Sequence, residues 1–262
     1  MNSWISQYCI NVTDLDRAVS FFEALGLTCT SRTDIEQARE AICEQPGKGG
    51  KVQLAQQASQ SGPLDTGNAF WKLYVNTNDM DQLYKAALAF GSESVTEPSR
   101  SDRWPVSIAF VKGPDDYLVE LVQRFPWQDG DDTTYSWLGQ YCVNVTDLDT
   151  TIKFWETLGM TCTSQTDIQH AKEAILENPD KGGKIQLAQH ANQEGPINMG
   201  TAMWKLYVYT DDCKELFAHA TAAGYRSVME PLVLERWGST VAFVADPDDY
   251  QVELVQSATG GG

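Results

Sequence analysis

Apolar and polar residues alternate along Gln7–Val12, the period of a half-buried strand. Leu15, Val19, Phe22 and Leu25 then recur at helical spacing. Thr13-Asp14 can cap that helix and Gly26 suits its end. Thr28–Thr33 is β-branched and strand-like. Asp34–Glu44 is ambiguous: Ala38, Glu40, Ile42 and Glu44 alternate as in a strand, while the composition favours helix. Pro46–Gly50 reads as a turn and Lys51–Gln57 as a strand. After a loop with Gly62-Pro63, Ala69–Asn76 reads as a strand and Asp79–Phe90 as a helix closed by Gly91. Strands follow at Ser94–Glu97, Val106–Val111 and Asp116–Gln123, with Pro114-Asp115 turning between the last two. The pattern is strand–helix–three strands, twice.

The whole pattern then repeats. Residues 4–123 and 137–256 align without a gap at an offset of 133 (Trp4 to Trp137), and roughly 70 of about 120 positions are identical. A period this long fits a small domain and not a solenoid unit. The expected organisation is domain 1 over 1–124, a linker over 125–136, domain 2 over 137–258 and a flexible tail over 259–262. The linker, FPWQDGDDTTYS, is polar and stands outside the repeat register. The expected fold class is α+β, with four βαβββ modules.

Charge narrows the partners. A net charge of −17 opposes nucleic acid and anionic membrane surfaces. No apolar run approaches the ~18 residues of a membrane span, and the N-terminus lacks a signal-peptide pattern. Six cysteines, at 9, 29, 43, 142, 162 and 213, form no CxxC and read as reduced core thiols of a cytoplasmic protein. The KGGK turns at 48–51 and 181–184 lack the GxxxxGK[ST] of a phosphate loop and are expected to be solvated.

The segments NVTDLDRAVSFFEALGL at Asn11 and AFVKGPDDYLVEL at Ala109 return at Asn144 and Ala242. They resemble the opening and closing motifs of the vicinal oxygen chelate superfamily, which includes glyoxalase I, drug-resistance proteins and extradiol dioxygenases. The resemblance covers nearly the whole chain, twice. It implies tandem glyoxalase-like domains forming a pseudo-dimer within one chain, with a monomer as one option, and curved mixed sheets around the cavities.

In glyoxalase-like members four strand positions bind a divalent metal, typically His or Gln, Glu, His and Glu. Matched motif by motif, the resemblance puts Gln7, Gln53, Lys72 and Glu120 at those positions in the first repeat. In the second they are Gln140, Gln186, Lys205 and Glu253. A charged lysine has no lone pair to offer a metal. Amides are weak zinc ligands. The three histidines, His170, His190 and His219, recur in neither copy. The expectation is therefore no metal and no cofactor. The family pattern also suggests cavities built across repeats, Gln7 and Gln53 with Lys205 and Glu253, Gln140 and Gln186 with Lys72 and Glu120; cavities within one repeat are the alternative.

Lysine beside glutamate fits proton transfer next to a carbonyl. The ammonium would hold the developing enolate and the carboxylate would move the proton. The catalytic candidates are thus Lys72, Glu120, Lys205 and Glu253, with the four glutamines orienting substrate. Tyr74 and Tyr207 share a strand face with the lysines, whereas Tyr8, Trp71 and Trp204 are expected to face the core. Arg103-Trp104 and Arg236-Trp237 resemble the family's loop over the cavity and are substrate-binding candidates; a surface Arg packed on Trp is the competing expectation. Three functions stay open: a metal-independent isomerase or lyase on a small carbonyl compound, a non-catalytic binding or sequestering protein, and a metal-dependent glyoxalase or dioxygenase.

Overall fold

The computed structural model describes residues 2–126 and 136–257. The expected tail, 259–262, and positions 127–135 of the expected linker lie outside the described residues.

Sixteen strands and four α-helices among the described residues form four βαβββ modules. The first holds β1 (Ser3–Asn11), α1 (Leu15–Ala24), β2 (Thr28–Asp34), β3 (Ala38–Gln45) and β4 (Lys48–Gln57). The second holds β5 (Phe70–Thr77), α2 (Met80–Phe90), β6 (Glu93–Arg100), β7 (Val106–Lys112) and β8 (Leu118–Arg124). The third holds β9 (Ser136–Asn144), α3 (Leu148–Thr157), β10 (Thr161–Ile168), β11 (Ala171–Asn178) and β12 (Lys181–His190). The fourth holds β13 (Met203–Thr210), α4 (Cys213–Ala222), β14 (Arg226–Leu234), β15 (Ser239–Ala245) and β16 (Gln251–Ser257).

Each helix starts at an aspartate whose side chain accepts a backbone N–H three residues on. The caps are Asp14, Asp79, Asp147 and Asp212, each satisfying an orphan donor of the first turn. Gly91 ends α2 in the left-handed region, at φ 105°, where a side chain would be strained. On α1 the buried residues Leu15, Ala18, Val19, Phe21 and Phe22 follow the helical period.

The chain forms two compact units that do not follow the repeats. Among the described residues, one contains 2–9, 66–70 and 142–257; the other contains 10–65, 71–126 and 136–141. In the first, β14, β15, β16, β13 and β1 lie in that order, and β10, β11 and β12 form a second run. In the second, β6, β7, β8, β5 and β9 lie in order, with β2, β3 and β4 in a further run. β5 and β8 pair in parallel, as do β13 and β16, while the other pairs with a given register are antiparallel. The opening strand of the first repeat thus lies beside strands of the second repeat within one unit.

One ambiguity resolves and two expectations need correction. The latter part of Asp34–Glu44 is the strand that the βαβββ order requires, β3, hydrogen-bonded on both sides to β2 and β4. Ladder pairing and burial of Ala38, Ala41 and Cys43 outweigh weak helix propensity. The KGGK turns are packed. Lys48 Nζ sits 3.8 Å from the Trp137 ring centroid, and Lys181 Nζ 3.3 Å from that of Trp4. A Cβ on Gly49 would collide with the Leu138 carbonyl oxygen, so glycine is required there. The cysteines are all free thiols, but only Cys9, Cys43, Cys142 and Cys213 are core; Cys29 and Cys162 are half-buried. No helix among the described residues is long and apolar enough to cross a membrane.

Candidate functional site

Glutamate in a central strand needs a reason, since an unpaired buried carboxylate is costly. Glu120 lies in the middle of β8, buried, between Tyr74 of β5 and Phe110 of β7 in register. Lys72, two residues before Tyr74, projects from the same face of β5. Its Nζ lies 2.8 Å from Glu120 Oε2. Both side chains are about nine-tenths buried, at 9% and 10% exposure. The ammonium also lies 4.1, 5.0 and 5.5 Å from the ring centroids of Trp71, Tyr74 and Phe110. Aromatic faces carry negative charge density, so the ammonium is held by the carboxylate and by ring faces together.

The other unit repeats the arrangement. Lys205 Nζ lies 2.7 Å from Glu253 Oε2. Trp204, Tyr207 and Phe243 centroids lie 4.5, 5.0 and 5.6 Å from it. Tyr207 and Phe243 flank Glu253 in register on β13 and β15.

Each final strand is tied down just before its glutamate. Tyr117 Oη donates to the Asn11 carbonyl at 2.6 Å in one unit. Tyr250 Oη lies 2.7 Å from the Asn144 carbonyl and 2.8 Å from that of Ala69 in the other. These tethers fix the strand that presents the carboxylate, three residues on.

The glutamines fall on the strands expected for them. Gln7 is buried on β1, next in order to β13 and β16, so Gln7, Lys205 and Glu253 occupy three successive strands of one unit. Gln140 on β9 stands likewise beside β5 and β8, which carry Lys72 and Glu120. Each of these trios joins one repeat's opening strand to the other repeat's lysine and glutamate. Gln53 is buried on β4 opposite Ile42, and Gln186 on β12 opposite Ile175.

One expectation about aromatic residues changes and one is met. Trp71 and Trp204 are only half-buried, each with the ammonium of the following lysine 4.1 or 4.5 Å from its ring centroid. Tyr8 and Tyr141 are buried. Phe110 and Phe243 were not singled out from the sequence, although their recurrence two residues past Ile108 and Val241 in matching strands was a usable signal. Arg103-Trp104 and Arg236-Trp237 are exposed, each guanidinium 4.9 and 4.8 Å from its neighbour's ring centroid. Open clefts of about 390 and 280 Å³ are lined by other residues, among them Arg100 and Gln123, or Lys172 and His190.

The donor set does not fit a divalent metal. The carboxylate that would be the anionic ligand is already neutralised by an ammonium at ion-pair distance, and a second cation there would be repelled. Among the described residues no group of three or more His, Cys, Asp or Glu side chains is gathered as a metal would require.

The model of the Glyoxalase/Bleomycin resistance protein/Dioxygenase superfamily matches residues 4–121 and again 137–254. Lactoylglutathione lyase GLX1 of Arabidopsis thaliana is 33% identical over 260 residues, covering 94% of this chain and 89% of that protein. A lactoylglutathione lyase of Oryza sativa subsp. japonica is 28% identical over 207 residues, 74% of this chain and 67% of that one. Glyoxalase I from Zea mays shares the fold with a TM-score of 0.85 at 23% identity, covering 97% of this chain and 92% of its own. A putative dioxygenase from Bacillus subtilis gives 0.73 at 14% identity, covering 98% and 86%. The twofold match, the four βαβββ modules and the closing-strand glutamates agree: this chain belongs to the glyoxalase/bleomycin resistance/dioxygenase superfamily, as a tandem two-domain member.

Proposed function

We propose that the chain is a glyoxalase-fold lyase or isomerase that acts on a small carbonyl compound by lysine-assisted, glutamate-mediated proton transfer, without metal or other cofactor. The observation that carries this reading is the buried Lys–Glu ion pair, formed in both units at 2.8 and 2.7 Å. The relatives named lactoylglutathione lyase support the lyase class.

Lysine has three N–H donors and its glutamate takes one direction. The others are available to a substrate carbonyl oxygen. As a proton leaves the adjacent carbon for a glutamate oxygen, negative charge collects on that oxygen, and the ammonium stabilises it. The same glutamate returns the proton to a neighbouring carbon, or the enolate expels a leaving group. The Trp, Tyr and Phe rings exclude water, which strengthens both interactions. Gln7, Gln53, Gln140 and Gln186 are proposed to orient polar substrate atoms, and the Arg-Trp loops to contact the substrate's outer end. Sequestration of a cationic ligand is disfavoured because the lysine ammonium already occupies the aromatic, carboxylate-bearing position.

The test is turnover of a panel of 2-oxo and 2-hydroxyacyl compounds, S-lactoylglutathione included, before and after chelator treatment. Turnover unaffected by chelator is expected. Lys72→Ala or Lys205→Ala alone should leave about half of it, and the double variant should lose roughly 100-fold or more. Activity abolished by chelator and restored by a divalent ion would sink the reading, as would full turnover in the double variant.

A further inference from the structure

Cys29 and Cys43 face each other across β2 and β3 as register partners. Directly opposed positions of an antiparallel pair have Cα atoms about 4.5–5.5 Å apart, inside the span a disulfide needs. Both thiols are free. Their surroundings differ. Cys29 is half-buried, its Sγ 3.6 Å from the Ser31 carbonyl. The Arg32 guanidinium, ion-paired with Asp16 at 2.6 Å, is a cationic neighbour of Cys29. Cys43 is fully buried. Burial first, and the neighbouring Cys29 sulfur second, push its thiol well above the usual range.

The second repeat supplies a control within the same molecule. Cys162 holds the position of Cys29, but its register partner is Leu176 and Gln165 stands where Arg32 would be. One half-buried cysteine thus has both a cationic neighbour and a facing thiol, and its counterpart has neither.

We propose that Cys29 and Cys43 form a reversible thiol–disulfide couple, with Cys29 the sulfur that meets a hydroperoxide and Cys43 the sulfur that resolves it. The Cys29 thiolate attacks a peroxide oxygen, the O–O bond breaks, and water or an alcohol leaves once protonated. Sulfur is oxidised by two electrons to the sulfenic acid. Cys43 then attacks the Cys29 sulfur, the S–O bond breaks, a second water leaves and the S–S bond forms. A dithiol reductant reverses the reaction by exchange. Burial disfavours the Cys43 thiolate, so resolution is the slow step. The bond would staple β2 to β3, one strand away from Gln53.

The test is a stoichiometric hydrogen peroxide treatment of the full chain, followed by thiol titration and peptide mass mapping. The expected result is a fall from six free thiols to four, a Cys29–Cys43 cross-linked peptide, and full reversal by dithiothreitol. The oxidised form should melt on the order of 5–10 °C higher. Cys43→Leu, which copies the second repeat, should abolish the cross-link and leave Cys29 open to sulfinic acid formation. Cys29 should also be alkylated at least several-fold faster than Cys162. Six thiols surviving treatment, a sulfinic acid at Cys29 in the unmodified chain, or a cross-link through Cys162 would each overturn the proposal.

Discussion

The two Lys–Glu sites and the rings against their ammoniums agree closely, and much of the rest of the two repeats does not. Ion-pair distances are 2.8 and 2.7 Å, and the Tyr ring lies 5.0 Å from the ammonium in both. Yet roughly 50 of the 120 aligned positions have changed between repeats. Gly113 faces Asp246 in the alignment, Cys43 faces Leu176, and Ser99-Arg100 face Leu232-Val233. A lysine–glutamate pair inside a sheet is hard to change by one substitution, because either partner alone is an orphaned charge. Neighbours that pack or fold back on solvent carry no such constraint. The comparison therefore separates what is coupled from what is free to drift.

The largest effect should come from uncoupling the pair. Lys72→Met leaves the Glu120 carboxylate buried without its cation, and such a loss typically costs about 3–5 kcal/mol. Lys205→Met should cost nearly as much, slightly less because Lys205 is the more exposed, at 13% against 9%. The double change Lys72→Met with Glu120→Leu should recover most of the loss, since an apolar pair leaves nothing unsatisfied. Urea unfolding of these three variants and of the single Glu120→Leu measures this. Singles that lose less than about 1 kcal/mol, or a double no better than its singles, would show that the pair is not energetically coupled.

How legible was this arrangement? Strand and helix order was plain, because period and caps are local: Thr13-Asp14 announced α1, and Asp14 does accept from Arg17 N at 2.9 Å. The lysine and glutamate positions were legible through motif register. The fate of Trp71 was not, since alternation assigns a Cβ direction and says nothing of where a long ring or a lysine ammonium ends. β3 was ambiguous because its charged, alanine-containing sequence becomes a strand only when β2 and β4 flank it. The packing of Lys48 on Trp137 joins residues 89 apart in number (137 − 48), a distance no local pattern spans.

A second, intermediate effect tests the Gly113/Asp246 difference. Asp246 is buried, and its Oδ1 accepts from the backbone of Asp248 and Tyr250 while Oδ2 has no hydrogen-bond partner. Burial first, with the nearby Asp248 and Asp249 charges, pushes its carboxyl up to about 8, against the two backbone donors. Its folded value is thus above its unfolded one. The contribution to stability is fully present below about pH 4 and is lost as pH rises toward 8. The loss is on the order of a few kcal/mol. Asp246→Asn keeps the two accepted hydrogen bonds and removes the titration. Relative to this variant, the unmodified chain should melt progressively lower between pH 5 and pH 8.5. An equal gap at both values would mean the carboxyl does not titrate there.

The smallest effect concerns features that did not diverge. Asp147 caps α3 by accepting from Thr150 N at 2.9 Å, as Asp14 caps α1. Removing an N-cap costs about 1 kcal/mol, so Asp14→Ala and Asp147→Ala should lose similar amounts at neutral pH. The Thr150 backbone and side chain hold the Asp147 carboxyl below its ordinary value. A depressed carboxyl gives the opposite sign from Asp246. Its contribution is present above the unfolded value and fades as pH falls through the folded one. Asp147→Ala should therefore be about 1 kcal/mol less stable than the parent at pH 7 and converge with it as pH falls through the lowered folded value. If the deficit is the same at pH 3 and pH 7, the cap acts through helix propensity and not through its ionised oxygen. Of the two opposed pH dependences only that of Asp246 would then remain, and the Asp246 measurement would need no correction for the caps.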